Sequence, residues 1–202
     1  MINHQINQLN NWGFKNFVII TNPEYSALIQ DVVKKAHSEF HIEFSVQDKP
    51  KGISHALQQA EHIVNNEKLF FVLGDNFFEK NPLEGFDLNE FKEGAYIFTK
   101  SVDNPKEFGV AQMDEEGNVI SIEEKPEKPK SNNAVVGAYM FDESVFEKIS
   151  TLQPSKRGEY EITDLCNLYV NNEKCKNFSI DGWWIDAGTC LLYTSPSPRD
   201  GW

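Results

Sequence analysis

The sequence predicts an α/β fold of three layers, with helices on both faces of a doubly wound, mainly parallel but mixed sheet. Three observations lead there. As far as Phe78, apolar runs of strand length alternate with segments of helical periodicity, the pattern of successive βα units. The run LFFVL at 69–73 is apolar at every position, as a strand covered on both faces requires. It then meets Gly74, Asp75 and Asn76, which brings a carboxylate out at the carboxyl edge of the sheet, where open α/β folds bind ligands. Taken alone, Asp75 and Asn76 equally well close a strand and open a turn. At 202 residues the chain is long enough for one such domain.

The elements follow in chain order. Residues 1–12 space Ile2, Ile6 and Leu9 along one helical face, with Gly13 as the stop. Residues 17–21 read as a strand. Asn22, Pro23 and Glu24 then supply a cap, a first-turn proline and an acidic group at the positive end of a helix dipole. That helix is expected to turn Leu28, Val32 and Ala36 inward. The segment 41–46 alternates Ile42, Phe44 and Val46 and is the next strand. A helix runs from Gly52 to about Asn65, with Ala56, Leu57, Ala60, Ile63 and Val64 on one side. The pattern opens on a helix where a βαβ unit asks for a strand, and no two glycines are close enough to form a Gly-rich phosphate loop.

Beyond Phe78 the texture changes. Residues 95–102 form a strand, and 109–113 with 119–122 flank a turn as a hairpin. A strand at 134–141 carries Gly137 at its centre, where another group can approach the backbone closely. Asp142 caps a short helix to about Ile149, and 160–170 is a second helix with Ile162, Leu165 and Tyr169 inward. Short strands at 178–180 and 183–185 follow, the latter running into Asp186, Ala187 and Gly188. Asp186 thus repeats the placing of Asp75. From Cys190 the periodicity vanishes, and CLLYTSPSPRD resembles a translated adapter sequence, so 190–202 is set apart as a non-native or disordered tail behind one domain at 1–189.

Composition narrows the function. A net charge of −12 argues against nonspecific binding to nucleic acid or an anionic membrane. No apolar run reaches the length of a membrane span and no basic leader precedes one, so a soluble, cytoplasmic protein is expected. Three cysteines are too few and scattered for a disulfide framework or zinc site, and the five histidines show no ligand spacing.

Two carboxylates at strand ends suit Mg²⁺, which takes one or two carboxylates together with phosphate oxygens. In the Glu-Lys-Pro corner at 124–126, Lys125 can neutralise a phosphate and Glu124 can accept hydrogen bonds from sugar hydroxyls. Each signal by itself is weak, since such a corner is commonly just a solvated charged turn.

The order of motifs is more specific: Gln47 and Gly52, LGDN at 73–76, NPKEFGV at 104–110, EEKP at 123–126, KSNNAVVGAY at 130–139, RGEYEITD at 157–164 and WIDAGT at 184–189. This series resembles that of the sugar-nucleotide pyrophosphorylases over residues 1–189. The resemblance implies a Rossmann-like nucleotide-diphospho-sugar transferase fold. It also implies condensation of a nucleoside triphosphate, dTTP, with a sugar 1-phosphate, glucose 1-phosphate, releasing pyrophosphate. A UTP-using enzyme and a noncatalytic subunit of the same fold are the alternatives. By motif, Asp75 and Asp186 hold Mg²⁺, Gln47 and Gly52 meet the base, and Lys125 grips the sugar phosphate. Glu124 and Gly109 face the sugar, Val136 and Trp184 line its pocket, and Asn76 contacts substrate. The family also implies a homo-oligomer for the full-length enzyme. Its G-G-x-G-T-R-L-x-P loop and C-terminal helices have no counterpart in these residues. A fragment truncated at both ends, with little activity of its own, is therefore expected.

Overall fold

The computed structural model describes residues 1–190, so all but the first residue of the tail set apart above lies outside it. The first helix, α1 (Ile2–Asn11), stops at Trp12, and Gly13 turns the chain with φ at 104°. Strand β1 (Asn16–Thr21) leads to α2 (Pro23–Ala36), whose Asn22 cap accepts from Tyr25 N at 3.0 Å. The inward face of α2 is not the expected one. Ser26, Ile29 and Val33 pack inward, while Leu28 is 62 % and Val32 38 % exposed. The helix carries two adjacent apolar stripes at the same i, i+4 spacing, and only the docking against Phe17 and Phe44 selects between them.

Strand β2 (His41–Val46) pairs parallel with β1 along its whole length. The predicted single helix after Gly52 is two short ones, α3 (Ile53–Gln58) and α4 (Glu61–Val64). Ser45 Oγ donates to Gln59 O at 2.6 Å, and the chain tightens there into i to i−3 bonds, which breaks the helix. The central strand β3 (Leu69–Val72) ends before Gly74, as the sequence suggests, and after a turn a further short strand, β4 (Asn76–Phe78), follows.

The remainder comprises β5 (Ala95–Ser101), β6 (Gly109–Met113), β7 (Val119–Glu124), β8 (Asn133–Phe141), α5 (Val145–Thr151), α6 (Ile162–Val170), β9 (Cys175–Ser179), β10 (Trp184–Asp186) and α7 (Ala187–Cys190). The main sheet has the order β7-β6-β8-β5-β9, with β3 also on β8. Strand β8 runs against both β3 and β5, and β9 runs with β5, so β3, β5 and β9 share one direction. The sheet is mixed, as expected. Parallel ladders among the described residues are fewer than a mainly parallel sheet implies, β5 with β9 in this sheet and β1 with β2 in a separate pair, because β8 enters between codirectional neighbours.

Side chains alternate across β8 with the pleat: Val135, Tyr139 and Phe141 face α5 and α6, while Val136, Ala138 and Met140 face a layer holding Phe98, Phe78 and Trp12. Asp142 does not cap α5. Its carboxylate is a buried acceptor for Gly94 N, Ser144 N and Oγ, and Tyr169 OH.

Strand β3 is only half-buried, contrary to the fully covered strand its composition suggests. Among the described residues β1 pairs with β2 alone and β3 with β8 alone. Residues of β1 and β3 line two cavities, of about 510 and 590 Å³. The former opens where Thr21, Gln47 and Gly74 meet, so both strands end at the same rim.

Candidate functional site

The two acidic strand ends meet. Strand β3 leaves the sheet at Leu73, whose N–H donates to Gly137 O at 2.8 Å, and Asn76 N closes a tight turn on Leu73 O at 3.1 Å. Asp75 sits on that turn. Gly74 beside it needs no special backbone: a Cβ there meets nothing within 4 Å, so the sharp turn does not depend on glycine. Strand β10 lies antiparallel to β4 with Asp186 opposite Asn76, and Ala187 N donates to Asp75 O at 2.8 Å. A Cβ placed on Gly188 would fall 2.8 Å from Asp75 Oδ2 and 3.1 Å from Asp186 Oδ1. Both carboxylates therefore flank one small space that glycine alone leaves clear.

That donor set fits a hard divalent cation. Among the described residues no group of three or more His, Cys, Asp or Glu side chains is placed to hold a metal ion. Two carboxylates suit Mg²⁺, which fills its remaining positions with water and phosphate oxygens.

Asn76 and Val136 lie elsewhere than expected. Asn76 is 2 % exposed, and its Oδ1 accepts from Gly137 N at 2.9 Å and from Trp184 Nε1 at 2.7 Å. Its Nδ2 donates to Asp75 Oδ1 at 2.8 Å. With these groups engaged and the side chain enclosed, Asn76 turns its amide to neighbours within the fold. Val136 is fully buried in the layer with Phe98 and Ala138, so its side chain backs the site as core. Trp184 is half-buried, with its ring 5.1 Å from that of Phe108.

Gly109 and Glu124 stand directly opposite each other on β6 and β7. A Cβ on Gly109 would lie 2.9 Å from Thr163 Cγ2, so glycine serves the close approach of α6, and 3.5 Å from Glu124 Oε2, an ordinary contact. Burial, and then the like charge of Glu161, push the Glu124 carboxyl above its ordinary range, with Lys125 and Arg157 opposing. Lys125 is exposed and held in the left-handed region at φ 42°, with its N–H on Phe108 O at 3.0 Å. An L-residue adopts that backbone at a cost of about 1–2 kcal/mol. Arg157 Nη1 lies 3.6 Å from Glu124 and 3.5 Å from Glu161.

Gln47 and Gly52 also come together, Gln47 Nε2 donating to Gly52 O at 3.1 Å and approaching His55 Nδ1 at 2.9 Å. Burial, and then the charge of Lys51, lower the His55 pKa, which favours the neutral ring that accepts this bond. Gly52 has φ 102°, and a Cβ there would meet Tyr160 O at 2.6 Å, so its glycine serves a close backbone approach. These groups join through Tyr160, whose ring stacks on His55 at 6.1 Å and whose chain continues into Glu161 beside Arg157. Phe108 joins the other side, touching Trp184 by its ring and Lys125 by its carbonyl.

Three contributors were not singled out by sequence reasoning. Gln5 Nε2 donates to Leu73 O at 3.0 Å and Asn76 O at 2.6 Å, holding the Asp75 turn from α1. Its signal is a polar residue beside the apolar face of that helix. His55 carries no local pattern beyond an isolated ionisable side chain, whereas Arg157 opens the RGEYEITD segment and was given no role of its own.

The chain matches a family model for nucleotidyl transferases over residues 1–197. It is 36 % identical over 196 residues to a glucose-1-phosphate thymidylyltransferase of Xanthomonas campestris, covering 94 % of this chain and 66 % of that protein. It is 32 % identical over 194 residues to a low-salt glycan biosynthesis nucleotidyltransferase of Haloferax volcanii, covering 93 % of this chain and 54 % of that one. The chain thus spans between about half and two thirds of the length of these relatives. Among solved structures, a Bacillus anthracis protein in complex with sucrose, assigned as a glucose-1-phosphate thymidylyltransferase, superposes with a TM-score of 0.84 at 38 % identity, covering 94 % of this chain and 78 % of that one. A UDP-glucose pyrophosphorylase complexed with UDP-glucose has the same fold, with a TM-score of 0.82 at 22 % identity over 95 % of this chain and 83 % of that one. No helix among the described residues is long and apolar enough to cross a membrane.

Proposed function

The chain belongs to the nucleotidyl transferase family, and on that premise we propose that it carries the sugar-phosphate and metal side of a nucleotidyl transfer site. The reaction joins a nucleoside triphosphate, dTTP, to glucose 1-phosphate and releases pyrophosphate. One observation carries this reading: Asp75 and Asp186 converge on the space kept clear by Gly188, at the same rim as Gln47 and linked through Trp184 and Phe108 to the corner bearing Lys125.

The chemistry suits residues that position and neutralise. A sugar phosphate is already ionised at neutral pH, so its attack on the α-phosphorus needs in-line placement and charge compensation more than a general base. Magnesium bound by Asp75 and Asp186 would supply part of that compensation on the triphosphate. Lys125, held rigidly by its strained backbone, presents a cation to the sugar phosphate. Glu124 accepts from sugar hydroxyls in the space that Gly109 leaves, and Trp184 with Phe108 walls the sugar. Gln47, its amide nitrogen bonded to Gly52 O and His55, offers Oε1 to a base N–H.

The test is equilibrium binding of glucose 1-phosphate and dTDP-glucose to the 202-residue chain with Mg²⁺, beside the Lys125→Ala and Asp186→Asn variants. Saturable binding is expected. Loss of the charged contact of Lys125 should weaken glucose 1-phosphate by about tenfold or more. Absence of binding, or binding indifferent to both substitutions, overturns the proposal, and tighter binding of UDP-glucose reassigns the base.

A further inference from the structure

We propose that Asn76 is a positioning residue that sets the Asp75 carboxylate for the cation and couples it to the sugar wall at Trp184. The inference rests on the metal reading of Asp75 and Asp186 and adds the means by which that pair is held. Asn76 spends no polar atom of its side chain on solvent. Its Nδ2 donates to Asp75 Oδ1 at 2.8 Å, leaving Oδ2 as the oxygen turned toward Gly188. The other end of the amide, Oδ1, takes Gly137 N at 2.9 Å and Trp184 Nε1 at 2.7 Å. Its main-chain oxygen accepts from Gln5 Nε2 at 2.6 Å.

Such an arrangement permits one amide orientation. An inverted amide would point Nδ2 hydrogens at two donors and Oδ1 at a carboxylate, so the network itself assigns the nitrogen to Asp75. Gly137 leaves the room this amide needs: it has no side chain, and any Cβ there would fall within 2.7 Å of all three terminal amide atoms of Asn76. The carboxylate is therefore aimed before any ligand arrives, the condition under which a hydrogen-bond partner of a metal ligand strengthens binding. The same amide makes the coupling mechanical. Movement of the Trp184 indole, which lies against Phe108, pulls on Oδ1 and so turns the group that fixes Asp75. Sugar-side occupancy and cation binding thus communicate through three consecutive contacts, from Phe108 to Trp184, Asn76 and Asp75.

The experiment is Mn²⁺ titration of the 202-residue chain by electron paramagnetic resonance, with no substrate present and unfolding midpoints recorded alongside. Asp75→Asn should abolish specific Mn²⁺ binding; if it leaves binding unchanged, the metal reading itself is overturned. Given that loss, Asn76→Ala should weaken Mn²⁺ by about 10- to 100-fold in the folded chain, the size expected when a metal ligand loses its hydrogen-bond partner. A merely structural asparagine would lower the unfolding midpoint and leave Mn²⁺ affinity within twofold of wild type, which overturns the positioning role while the metal reading stands. Should Asn76→Ala fail to fold, Trp184→Phe decides. It removes one donor to Asn76 Oδ1 and keeps an aromatic ring, and a loss of threefold or more is expected, whereas affinity within twofold of wild type overturns the coupling.

Discussion

Replacing Gly137 with alanine tests how firmly the centre of β8 is packed against the Asp75 turn. The added Cβ would sit 2.6 Å from Asn76 Cγ and 2.7 Å from its Nδ2 and Oδ1. Asn76 is not a flexible surface side chain that can swing aside, since it is enclosed and held by two donors and one acceptor. Relief needs the amide to shift until it releases Gly137 N or Trp184 Nε1. Overpacking a well-filled core costs about 1–3 kcal/mol, and a buried donor left unmet about 1–3 kcal/mol more. Alanine recovers about 0.4–1 kcal/mol by restricting the unfolded chain. The balance is a destabilisation of about 1–6 kcal/mol, or roughly 2–24 °C in the melting midpoint of a chain of this size. Thermal and urea unfolding followed by circular dichroism measures it. Gly74→Ala is the matched control, because its Cβ meets open space and its backbone lies outside the left-handed region. A Gly137→Ala midpoint within about 2 °C of wild type would refute the packing argument and, with it, the claim that Asn76 has a single position.

Further predictions separate binding from stability. Lys125→Gly relieves the left-handed backbone and should raise stability by up to about 1 kcal/mol, while glucose 1-phosphate binding falls; melting and titration of one preparation read the opposite signs. Glu124→Gln should raise the melting midpoint at neutral pH, because burial first and Glu161 second make the ionised carboxylate costly in the folded chain. A carboxyl whose folded pKa is raised loses stability as pH climbs through and above the ordinary glutamate range of about 4.3, so the variant's advantage should vanish below that range. Asp142 behaves in reverse. Burial would raise its pKa, but bonds from Ser144, Gly94 and Tyr169 outweigh that and lower it. Its stabilisation is present above the unfolded value of about 3.9 and lost as pH falls through the lower folded value, so Asp142→Asn should destabilise at neutral pH and flatten acid unfolding.

Much of this could be read from the residues in order. Alternation placed β2 and the β6–β7 hairpin, and the cap at Asn22 located α2 to the residue. The glycine within β8 pointed to a close approach, and the group that approaches is Asn76. What escaped was set by partners remote in the chain. The face of α2 depended on Phe17 and Phe44, not on its own spacing. The engagement of Asn76 depended on Gly137 and Trp184, which lie 61 and 108 residues away. No local pattern distinguishes an asparagine that touches a ligand from one that orients a neighbour. The pair Asp75 and Asp186 was visible as two similar strand ends, yet their convergence comes from the β4–β10 ladder, three residue pairs long.

The unpaired edges of β1 and β3 have a mechanical meaning. Among the described residues no ladder of backbone bonds joins them, and the unit of β1, β2, α1 and α2 grips β3, its following turn and β4 through side chains such as Gln5, Gln8, Trp12 and Phe14. Gln47 ends the strand pair on one bank and Asp75 stands on the other. The span between them is thus the softest dimension of the rim, and amide hydrogen exchange should find the β1–β2 pair opening at lower free energy than β5 and β8.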